Sequence, residues 1–484
     1  TLVHGANEMY MHYDHLPITD PIRWLTEEQV LVGRMVLGDA FTVPYSYFFL
    51  VPDEGDDPSP LSNFYGDLAF RPAFRPSTAS ELMRFVKTTD DPITLVAGGR
   101  SFGSGLDGGH DSTYVLLDKL RRYGIGDGTV WVEPGVTFDD LTDPMIDAGW
   151  TFLTYPAVTP PTLIGALSTN SHGSGASAMG NHVIEMTVLT GTGDVIVIDH
   201  TSDDWGAWLM SMGDLGIVLN ATFRTEPLYA VEETWSLIGS AEAALRSMRG
   251  NDAFVVVHDS VMVQRVRRRP LPTEHDYHRD LVRYPFDAYN TGFQALPQLV
   301  TSDIDFKVPS FLLNAYIGMI SEVTRHVGYP NVVLPGSDHN SHTHIECELF
   351  IERKDVLRTL RLLSAWRYDT PGFNNLYGVF VRHVPPDTED IPLSPFRDVE
   401  RFGMILFSYL PWTEKHVFNE FLVMTGERLQ QEGIDFTYHR GKYAPVDSAP
   451  WRLDPDVIER WRSVRTRLDP RNRFRNAFMD LMID

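Results

Sequence analysis

The chain has 484 residues, of which 43% are hydrophobic and 22% are charged, and its formal net charge at pH 7 is -24. This length exceeds what one simple core accommodates and predicts two or three domains. The negative charge argues against a nucleic-acid partner, because the chain would repel its phosphates. No stretch of about 18 uninterrupted apolar residues is present, so we expect no transmembrane span.

Cysteine usage limits the possible sites. Cys347 is the only cysteine, so an intrachain disulfide and a zinc cluster of the cysteine type are excluded, and we predict no metal site. The first residues, TLVHGANEMYMHYDH, lack the basic and apolar regions of a signal peptide. We therefore expect a cytoplasmic location, although the chain begins with Thr rather than Met and a processed segment could precede it. The one basic run, residues 265–269 (RVRRR), is interpreted as a solvated loop rather than an anion site.

Residues 1–62 are predicted to form an N-terminal arm. In the stretch TDPIRWLTEEQVLVGRMVLGDAF, Asp20 can cap a helix whose first residue is Pro21, so we expect one helix there. The following VPDEGDDPSPLSNF is acidic and contains prolines, which is typical of a linker.

Residues 63–228 alternate helical and strand patterns and predict an α+β domain with many short strands. The segment STASELMRFVKT has a capping pattern from Thr78 to Glu81 and predicts a helix. TFDDLTDPMIDAGW predicts a second helix, which Pro144 should kink or shorten. Apolar runs that end in turn residues predict strands, namely ITLVAGG, TYVLLDKL, GTVWVEPG, the pair within IEMTVLTGTGDVIVID, and GIVLNATFRTEPL.

From residue 229 onward the composition changes to aromatic and arginine-rich segments, including HIECELFIERKDVLRTLRLL and GVFVRHVPP. These segments predict a second domain over residues 229–430, with a mixed sheet and helices. The closing LDPDVIERWRSVRTRLDPRNRFRN predicts a helix and a tail within a C-terminal segment, residues 431–484.

The stretch LVAGGRSFGSGLDGGH follows a predicted strand, and Gly103, Gly105 and Gly108 have the spacing G-x-G-x-x-G. In a Rossmann fold a helix begins at these glycines and its N-terminus binds the pyrophosphate. Here the loop leads into the β-forming TYVLLD, and no acidic residue ends a second strand at the distance of ~20 residues that ribose binding needs. The context therefore argues against a Rossmann fold.

A glycine-rich surface turn would explain this loop alone, but free backbone amides there can also form an anion-binding nest. A second loop, TPPTLIGALSTNSHGSGASAMGNHV, again places small and hydroxyl residues around one histidine, His172. Two such loops in one domain suit a large polyanionic cofactor that lies between them. For His172 itself, a histidine hydrogen-bonded inside a tight loop is the alternative to a direct chemical role.

Five segments occur in an order that is typical of one flavoprotein family: GGRSFG, VEPGVTFDDL, TPPTLIGALSTNSHGSG, VLTGTGDV and GDLGIVLNATFRT. Over about residues 65–228 the chain resembles the PCMH-type FAD-binding domain of the vanillyl-alcohol oxidase family. HIECELFIERKD, VFVRHV with LSPF, and HRGK are similar, more loosely, to segments of alditol and aldonolactone oxidases. The resemblance implies an α+β fold in which a two-subdomain FAD-binding domain joins a mixed-sheet substrate (cap) domain, with the C-terminal segment returning to the FAD-binding domain.

The resemblance also implies which residues bind FAD. The first loop would hold the pyrophosphate through backbone amides, the second would run along the flavin, and a backbone contact near Ile217 would reach the adenine end. The implied residues are Gly98, Gly99, Arg100, Ser101, Phe102 and Gly103 in the first loop, and Gly165, Ser168, Thr169, Ser171, His172, Gly173 and Ser174 in the second.

Two departures from the family pattern change what we expect. Many sugar-alcohol and lactone oxidases have a histidine bound covalently to the flavin where Arg100 stands. Arginine cannot form that bond, so we expect non-covalent FAD, as in decaprenylphosphoryl-ribose oxidase, which the GRSFG form resembles more closely. Polyol oxidases also have a carboxylate where Phe380 stands, and an ungapped alignment puts Gly403 and Ile405 where those enzymes have His and Thr. Loss of these polar partners favours an alcohol less polar than a sugar alcohol.

Four residues are candidate catalytic groups. Lys442 in HRGK aligns with a family lysine that reaches the flavin or the substrate, and a cation there would stabilise the negative charge that develops during hydride transfer. His439 could accept the hydroxyl proton, Arg382 would orient the substrate or balance charge, and Glu348 is a candidate from an E-x-E pattern. The alternatives are a surface lysine at position 442 and, for Glu346 and Glu348, strand residues that face solvent.

The sequence thus predicts an FAD-dependent oxidoreductase, an oxidase or dehydrogenase that oxidises a CH-OH group of an alcohol, lactol or secondary-metabolite hydroxyl by hydride transfer to flavin N5. Its partners would be a small-molecule substrate and oxygen or another electron acceptor. One alternative is an FAD-binding protein of the same fold with a non-redox, cyclase-like or binding role. Another is a carbohydrate-binding or interaction protein without a flavin.

Overall fold

A computed structural model describes most of the chain after residue 60 and the backbone of six strands before it. The chain forms two compact units, one of residues 1–59 with 291–301 and the other of residues 60–290 with 302–484. The predicted site residues all fall in the second unit. Besides those six strands, the described residues are 61–63, 68–70, 72–101, 112–257, 260–271, 325–335, 344–366, 378–409, 415–445, 453–474 and 477–483.

The N-terminal unit contains one antiparallel sheet with the order β1-β2-β3-β4-β6, in which β5 pairs with β3. Its strands are β1 (Leu2–His4), β2 (Met9–His12), β3 (Ile18–Leu25), β4 (Val30–Arg34), β5 (Val36–Leu37) and β6 (Tyr47–Leu50). The helix predicted from Asp20 onward is therefore wrong. β-branched residues at a spacing of two, as at Val30 and Val32, favour a strand over the local capping pattern. Residues 51–60 of the predicted acidic linker lie outside the described residues.

A small subdomain with a parallel sheet, β10-β11-β9, follows. Its elements are β7 (Leu61–Ser62), β8 (Ala69–Phe70), β9 (Pro72–Phe74), α1 (Ala79–Thr88), β10 (Ile93–Val96) and β11 (Thr113–Leu116). Helix α1 begins as predicted, because the Thr78 side chain accepts a hydrogen bond from the backbone N-H of Glu81. Leu82 of this helix packs in one apolar cluster with Ile93 of the sheet.

The next subdomain contains an antiparallel sheet, β12-β13-β17-β15-β16, with β14 paired to β17. Its elements are β12 (Tyr123–Ile125), β13 (Thr129–Val132), α2 (Phe138–Ala148), β14 (Trp150–Phe152), α3 (Leu163–Ser168), β15 (Val183–Thr190), β16 (Val195–Asp199), α4 (Trp205–Trp208) and β17 (Gly216–Pro227). The predicted hairpin, β15 with β16, is confirmed. Pro144 does not shorten α2, which continues to Ala148 because the buried Leu141 and Met145 hold it on the core.

An antiparallel sheet of eight strands, β21-β18-β20-β19-β23-β24-β22-β25, lies in the remaining part of the second unit. Every strand pair in this sheet, predicted as mixed, is antiparallel. Its strands are β18 (Ala230–Ile238), β19 (Ala253–Val257), β20 (Ser260–Arg269), β21 (Arg325–Gly328), β22 (His344–Ile351), β23 (Val379–Val384), β24 (Arg401–Tyr409) and β25 (Phe436–Tyr438). The helices of this region are α5 (Ala241–Ser247), α6 (Pro330–Val333), α7 (Val356–Trp366), α8 (Lys415–Gln431), α9 (Pro455–Leu468) and α10 (Ala477–Ile483). The α+β class predicted from the sequence is confirmed.

The two faces of the eight-stranded sheet have different roles. One face carries buried residues such as Val381 and Met404, which share an apolar core with Leu363 of α7 and Phe418 of α8. Directly opposite residues of an antiparallel pair point to the same face. The pairs Glu348 with Ile405 and Ile405 with Phe380 therefore place these three side chains in one row on the other face.

The basic run RVRRR is part of strand β20 rather than a solvated loop. Arg267 forms an ion pair with the buried Asp252, and Arg269 contacts Glu232 of the neighbouring strand β18. Arg268 is paired with Glu226. Acidic residues from three other parts of the chain thus pair with the run, which the sequence pattern did not reveal because these partners are not its neighbours in sequence.

The C-terminal segment contacts the small subdomains that contain the two loops. The Arg473 guanidinium donates to the carbonyl oxygen of Thr89 at 2.8 Å, just after α1. The Trp461 indole of α9 donates to the carboxylate of Asp214 at 2.9 Å. Among the helices of the described residues, none is long and apolar enough to cross a membrane.

Candidate active site

A cavity of about 270 Å³ lies between the two glycine-containing loops, the eight-stranded sheet and the turn that follows β25. The loops come from the α+β subdomains, whereas the sheet and the turn supply the charged side chains. The predicted site residues that line the cavity are Gly98, Gly99, Arg100, Ser101, Gly165, Ser168, Thr169, Ser171, His172, Glu348, Arg382, His439 and Lys442.

The other predicted FAD-binding residues are not among the described residues that line the cavity. Phe102 and Gly103 fall outside the described residues. Gly173 and Ser174 are not among the described residues that line the cavity. Ser174 instead joins the two parts of the second unit, since its hydroxyl donates to the carbonyl oxygen of Asp252 at 2.5 Å. Ile217 is buried in the apolar core beside the cavity-lining Gly216 and Val218, and its backbone contact with FAD stays a prediction.

The first loop has the features of an anion-binding nest. Gly99 adopts a left-handed conformation with φ of 61°, which glycine tolerates best. The backbone N-H groups of Gly98 and Gly99 donate to no acceptor within the part of the chain that the structure describes. The Asn63 side chain donates to the carbonyl oxygen of Ser101 at 3.0 Å and holds the end of the described loop. Two free amides at the cavity wall fit an anionic ligand.

Helix α3 places the second loop at the cavity. Thr162 caps this helix, and its hydroxyl accepts a hydrogen bond from the Gly165 N-H at 3.1 Å. A β-carbon at Gly165 would lie 2.8 Å from that hydroxyl, so a larger residue there would require the Thr162 side chain to shift. After the helix, the buried Asn170 adopts a left-handed conformation, and its side chain accepts from the Gly180 N-H and donates to Ser394. These bonds fix the backbone that leads to His172.

Lys442 lies between two glutamates of strand β22. Its Nζ atom is 2.8 Å from Oε1 of Glu346 and 3.4 Å from Oε2 of Glu348. The Glu348 side chain is only 1% exposed, and those of Lys442 and Glu346 are 16% and 18% exposed. The alternatives, a surface lysine and solvent-facing glutamates, are therefore wrong. The three residues form one buried ionic cluster at the cavity wall.

The pKa values in this cluster are set by burial and by the opposing charges. Burial alone would raise the pKa of Glu346 and of Glu348, but Lys442 outweighs it, so the pKa of Glu346 is lowered and that of Glu348 is held well below its usual value. His172 and His439 add to the effect on Glu348. Burial would lower the pKa of Lys442, whereas the two glutamates raise it. At neutral pH the cluster holds one ammonium and two carboxylate groups.

His439 presents an N-H group rather than a free lone pair to the cavity. Its Nδ1 atom accepts a hydrogen bond from the Gly441 N-H at 3.0 Å, so the hydrogen of the neutral ring is on Nε2. Burial lowers the pKa of His439 to about 3, although Glu348 opposes this effect. The ring is therefore neutral at physiological pH. As a base it would have to accept a proton at Nδ1, where Gly441 already donates, and this geometry does not favour the role expected for His439.

His172 is held in a tight pocket of aromatic rings. Its ring lies edge-on to Phe350 and Phe396 at centroid distances of 5.3 and 5.4 Å. Nδ1 is 2.9 Å from the carbonyl oxygen of Gly173, and Nε2 is 3.4 Å from Oε1 of Glu348. Both ring nitrogens thus face acceptors. The interpretation of His172 as a histidine hydrogen-bonded inside a tight loop holds, and the ring also contacts the ionic cluster.

Arg382 is the half-buried cation on the central strands of the sheet. It lies beside Gly403 on β24 and lowers the pKa of Lys442 by its charge.

Within the described residues, His172, Glu348 and His439 place one nitrogen or oxygen each within 4.8 Å of one another. The Lys442 ammonium already balances part of the negative charge of Glu348, which a metal ion would otherwise balance. This geometry therefore favours the ionic cluster over a metal centre.

One part of the cavity wall was missed by the sequence analysis. Ser211, Met212, Gly213 and Gly216 line the cavity, and the last three of these residues have positive φ angles. Asp214, inside this loop, is completely buried behind the wall. The GDLG segment, two glycines around one aspartate, was noticed only as part of the family pattern, although its glycine spacing indicates a constrained loop.

A model of the FAD binding domain family matches residues 74–199, the part of the chain that carries both loops. Residues 74–199 therefore form an FAD-binding domain of this family. The family predicted from the sequence is thereby confirmed, and so is the cofactor. The loops described above fit FAD on structural grounds, because free amides and small residues of the first loop, with the capped α3, line a cavity that also has apolar walls at Ile164 and Val218.

The FAD-binding protein is similar to several curated oxidases. It is 24% identical to an alditol oxidase of Streptomyces sp. over 442 residues, which cover 88% of this chain and 99% of that enzyme. It is 23% identical to a D-arabinono-1,4-lactone oxidase of Kluyveromyces lactis over 196 residues. That match covers 37% of this chain and 37% of the enzyme, so the chain spans little more than a third of the length of this relative.

Solved structures show the same fold. A solvent-stable cholesterol oxidase superimposes with a TM-score of 0.70 at 15% identity, covering 88% of this chain and 98% of that chain. A mutant of the cholesterol oxidase from Brevibacterium sterolicum gives 0.69 at 12% identity, covering 90% and 99%. The predicted combination of an FAD-binding domain with a substrate domain is confirmed.

Proposed function

We propose that this FAD-binding protein oxidises a CH-OH group of a small, moderately apolar alcohol or lactol to a carbonyl group. The observation that carries the proposal is one cavity that joins the FAD-binding loops to the buried cluster of Lys442, Glu346 and Glu348. The similarity to enzymes named alditol oxidase and D-arabinono-1,4-lactone oxidase supports oxidation of a hydroxyl-bearing substrate.

The residues of the chain would bind the cofactor and adjust the charge around it. Bound FAD supplies the two-electron acceptor for the hydride. Lys442 and Arg382 would place positive charge where negative charge develops on the flavin, an effect that is large in a buried site. Gly98 to Ser101 would hold the pyrophosphate, and Ser168 to His172 would lie along the flavin. The Nε2-H group of His439 would orient a substrate oxygen.

One row of the eight-stranded sheet beside the cavity is less polar than the row expected in a sugar-alcohol enzyme. Phe380, Ile405 and Glu348 stand in one row across three strands, so only one of the three positions offers a polar group. A polyol would bury several hydroxyl groups without partners there, which costs binding free energy. We therefore favour a substrate with one reacting hydroxyl on a largely apolar body.

The attachment of FAD, the electron acceptor and the location of the protein complete the proposal. Arg100 lines the cavity where relatives carry the covalent histidine, and we propose that FAD binds non-covalently. Oxygen or another acceptor would reoxidise the flavin. A cytoplasmic location stays a prediction.

Absorption spectroscopy tests both the cofactor and the reaction. The purified protein should be yellow, and acid precipitation should move the colour to the supernatant, whereas colour that stays in the pellet would contradict the non-covalent binding inferred from Arg100. Anaerobic mixing with a panel of primary and secondary alcohols, lactols and lactones should then bleach the flavin. FAD that no member of the panel bleaches would favour the non-redox alternative.

A further inference from the structure

Glu348 is a buried carboxylate whose nearest side-chain donors are too far away for a good hydrogen bond. Its side chain is 1% exposed and lines the cavity. Neither carboxylate oxygen has a hydrogen-bond partner among the described residues. His172 and Lys442 each lie at 3.4 Å, a distance for an ion pair rather than for a good hydrogen bond. A buried acceptor without a donor is costly, so this carboxylate is suited to a donor that enters the cavity.

Gly403 leaves the space that the carboxylate occupies. A β-carbon on Gly403 would overlap Oε1 of Glu348 and would lie 3.1 Å from its Cδ atom. Gly403 has no positive φ angle, so the conformation of the backbone does not require glycine. The glycine therefore serves the position of Glu348, in a place where the polyol oxidases of the resembling family carry histidine.

We infer that Glu348 accepts the hydrogen bond of the reacting substrate hydroxyl and then its proton, and that Gly403 is the specificity-determining residue that opens this position. The inference rests on the proposed function. The substrate class that fits is a secondary or primary alcohol whose hydroxyl meets Glu348 and whose apolar body contacts Ile405, which is opposite Glu348. Glu348 replaces, within the same row, the carboxylate that is absent at Phe380.

The balance of the step is simple. The C-H bond of the alcohol carbon breaks, and its electron pair passes with the hydrogen to FAD, which is the oxidant. The O-H bond breaks, its proton passes to a carboxylate oxygen of Glu348, and a C=O bond forms. Although the low pKa of Glu348 makes it a weak base, a carbonyl that still carries the hydroxyl proton is a strong acid, so the carboxylate can receive this proton.

The neighbouring groups are less suited to this role. The Glu346 carboxylate already accepts from Lys442 at 2.8 Å. His439 presents an N-H group, because the Gly441 amide donates to its Nδ1. His172 faces two acceptors, the carbonyl oxygen of Gly173 and Glu348. Glu348 is the group of this cluster with both charge and free lone pairs.

Two substitutions separate hydrogen bonding from proton acceptance. Glu348→Gln keeps an oxygen that accepts a hydrogen bond but cannot accept the proton, so kcat for the fastest alcohol of the panel should fall by about 10²–10⁴-fold, while KM changes little. Glu348→Leu removes both functions. In the wild-type protein, 1-methylcyclohexanol, a tertiary alcohol that cannot be oxidised, should perturb the flavin spectrum with an affinity about 10-fold or more higher than that of its methyl ether. Glu348→Leu should abolish this preference.

Gly403→Ala tests the space argument, because its methyl group should displace the carboxylate and lower kcat/KM by at least about 10-fold. Gly124→Ala, in strand β12, is the matched control: its methyl group meets nothing within 4 Å. Glu400→Gln, which changes a carboxylate paired with His383 outside the cavity lining, controls for the charge change. All variants should retain FAD.

The possible results test the role of Glu348 and the proposed function separately. If Glu348→Leu keeps the preference for the alcohol over the ether, or Glu348→Gln keeps the wild-type kcat, Glu348 does not meet the substrate. If Glu348→Gln loses FAD while the controls retain it, its donor is the cofactor, which also overturns the inference. If no alcohol bleaches the wild-type flavin, the proposed function fails, while the comparison of alcohol and ether still tests Glu348 as an acceptor.

Discussion

Lys442 forms ion pairs with two carboxylates at the cavity wall, and so its ammonium group stabilises the fold as well as the site. Glu346 and Glu348 both point from β22 toward the cavity, and without a cation they would repel each other in a region with little solvent. Breaking a buried ion pair by removing one partner is costly, since the remaining charge is left uncompensated.

Lys442→Met should therefore lower the free energy of unfolding by about 3–5 kcal/mol near pH 8, as measured by urea denaturation. In the wild-type protein the glutamate pKa values are lowered, so their contribution is present above the usual carboxyl pKa and is lost as pH falls. Without Lys442, burial dominates and raises these pKa values, so the variant should regain part of its stability as pH decreases toward 5.

Lys354→Met is the control for this variant. Lys354 also forms an ion pair with a glutamate, Glu352, at 2.8 Å, but its side chain is 70% exposed. Surface pairs of this kind contribute little because water screens them, so this substitution should leave the denaturation curve almost unchanged. Equal losses in the two variants would contradict the view that burial gives Lys442 its effect.

The position of single residues at the cavity was predictable from the sequence where the backbone, rather than a side chain, forms the cavity wall. Gly98, Gly99 and Gly165 line the cavity as expected from two glycine-containing loops. The chemistry of His439 was less predictable, because its role depends on the hydrogen bond from Gly441 to Nδ1. No spacing in HRGK reveals which ring nitrogen that amide meets. The burial of Glu346 and Glu348 likewise depends on the distant second loop and on Lys442.

The segment from Gly173 to Gly175 joins the FAD-binding part of the unit to the eight-stranded sheet. The Gly175 N-H donates to the carbonyl oxygen of His383 on β23 at 2.7 Å. A β-carbon on Gly175 would overlap the carbonyl oxygen of Gly250, and its φ of 78° already disfavours other residues. Gly175 therefore serves the contact between the two parts of the unit. The role of Gly173 and Ser174 in binding FAD stays a prediction.

Gly175→Ala should destabilise the protein for two separate reasons. The left-handed conformation costs about 1–2 kcal/mol, and the overlap with Gly250 adds about 1–3 kcal/mol. Gly128→Ala separates the two costs, because Gly128 has a φ of 72° and open space around its added methyl group. Chemical denaturation should show the smaller loss for Gly128→Ala, and an equal loss in both variants would contradict a close contact at Gly250.

Elements with strong local periodicity were predicted well, and elements whose local signals conflict were not. Helix α1 and the hairpin of β15 and β16 follow from a capping pattern and from apolar alternation. The stretch after Asp20 carries both a helix cap and strand alternation, and the strand pairing with β2 and β4 decides it. The order of the eight-stranded sheet joins strands far apart in the chain, which no local pattern records.

At the scale of the whole molecule, helix α9 supports a wall of the cavity from behind. Asp214, in the loop of residues 211–216, accepts from the Trp461 indole at 2.9 Å and lies 3.4 Å from the Arg465 guanidinium. Burial raises the pKa of Asp214 to about 6, although Arg465 and Trp461 oppose this change. Helix α9 thus contacts the loop of residues 211–216 through Asp214, a titratable group.

Asp214 should make the stability of the whole unit depend on pH. Because its pKa in the folded protein is about 6, against 3.8 for an ordinary aspartate, the stabilising protonated form is fully present below about pH 4. This contribution is lost as pH rises through about 6, and it amounts to at most about 3 kcal/mol. Urea denaturation between pH 4 and pH 7 should show this loss in the wild-type protein, and Asp214→Asn should lack it.

Trp461→Phe keeps the carboxyl group but removes the hydrogen bond that favours its ionised form. Because that bond lowers the pKa of Asp214, its removal should move the loss of stability to higher pH rather than abolish it. The two variants therefore change the pH profile in different ways, although both alter the same contact between α9 and the cavity loop. Identical pH profiles for the wild-type protein and Asp214→Asn would show that folding does not change the pKa of Asp214. Helix α9 would then contact the cavity loop through packing alone, without an effect of pH.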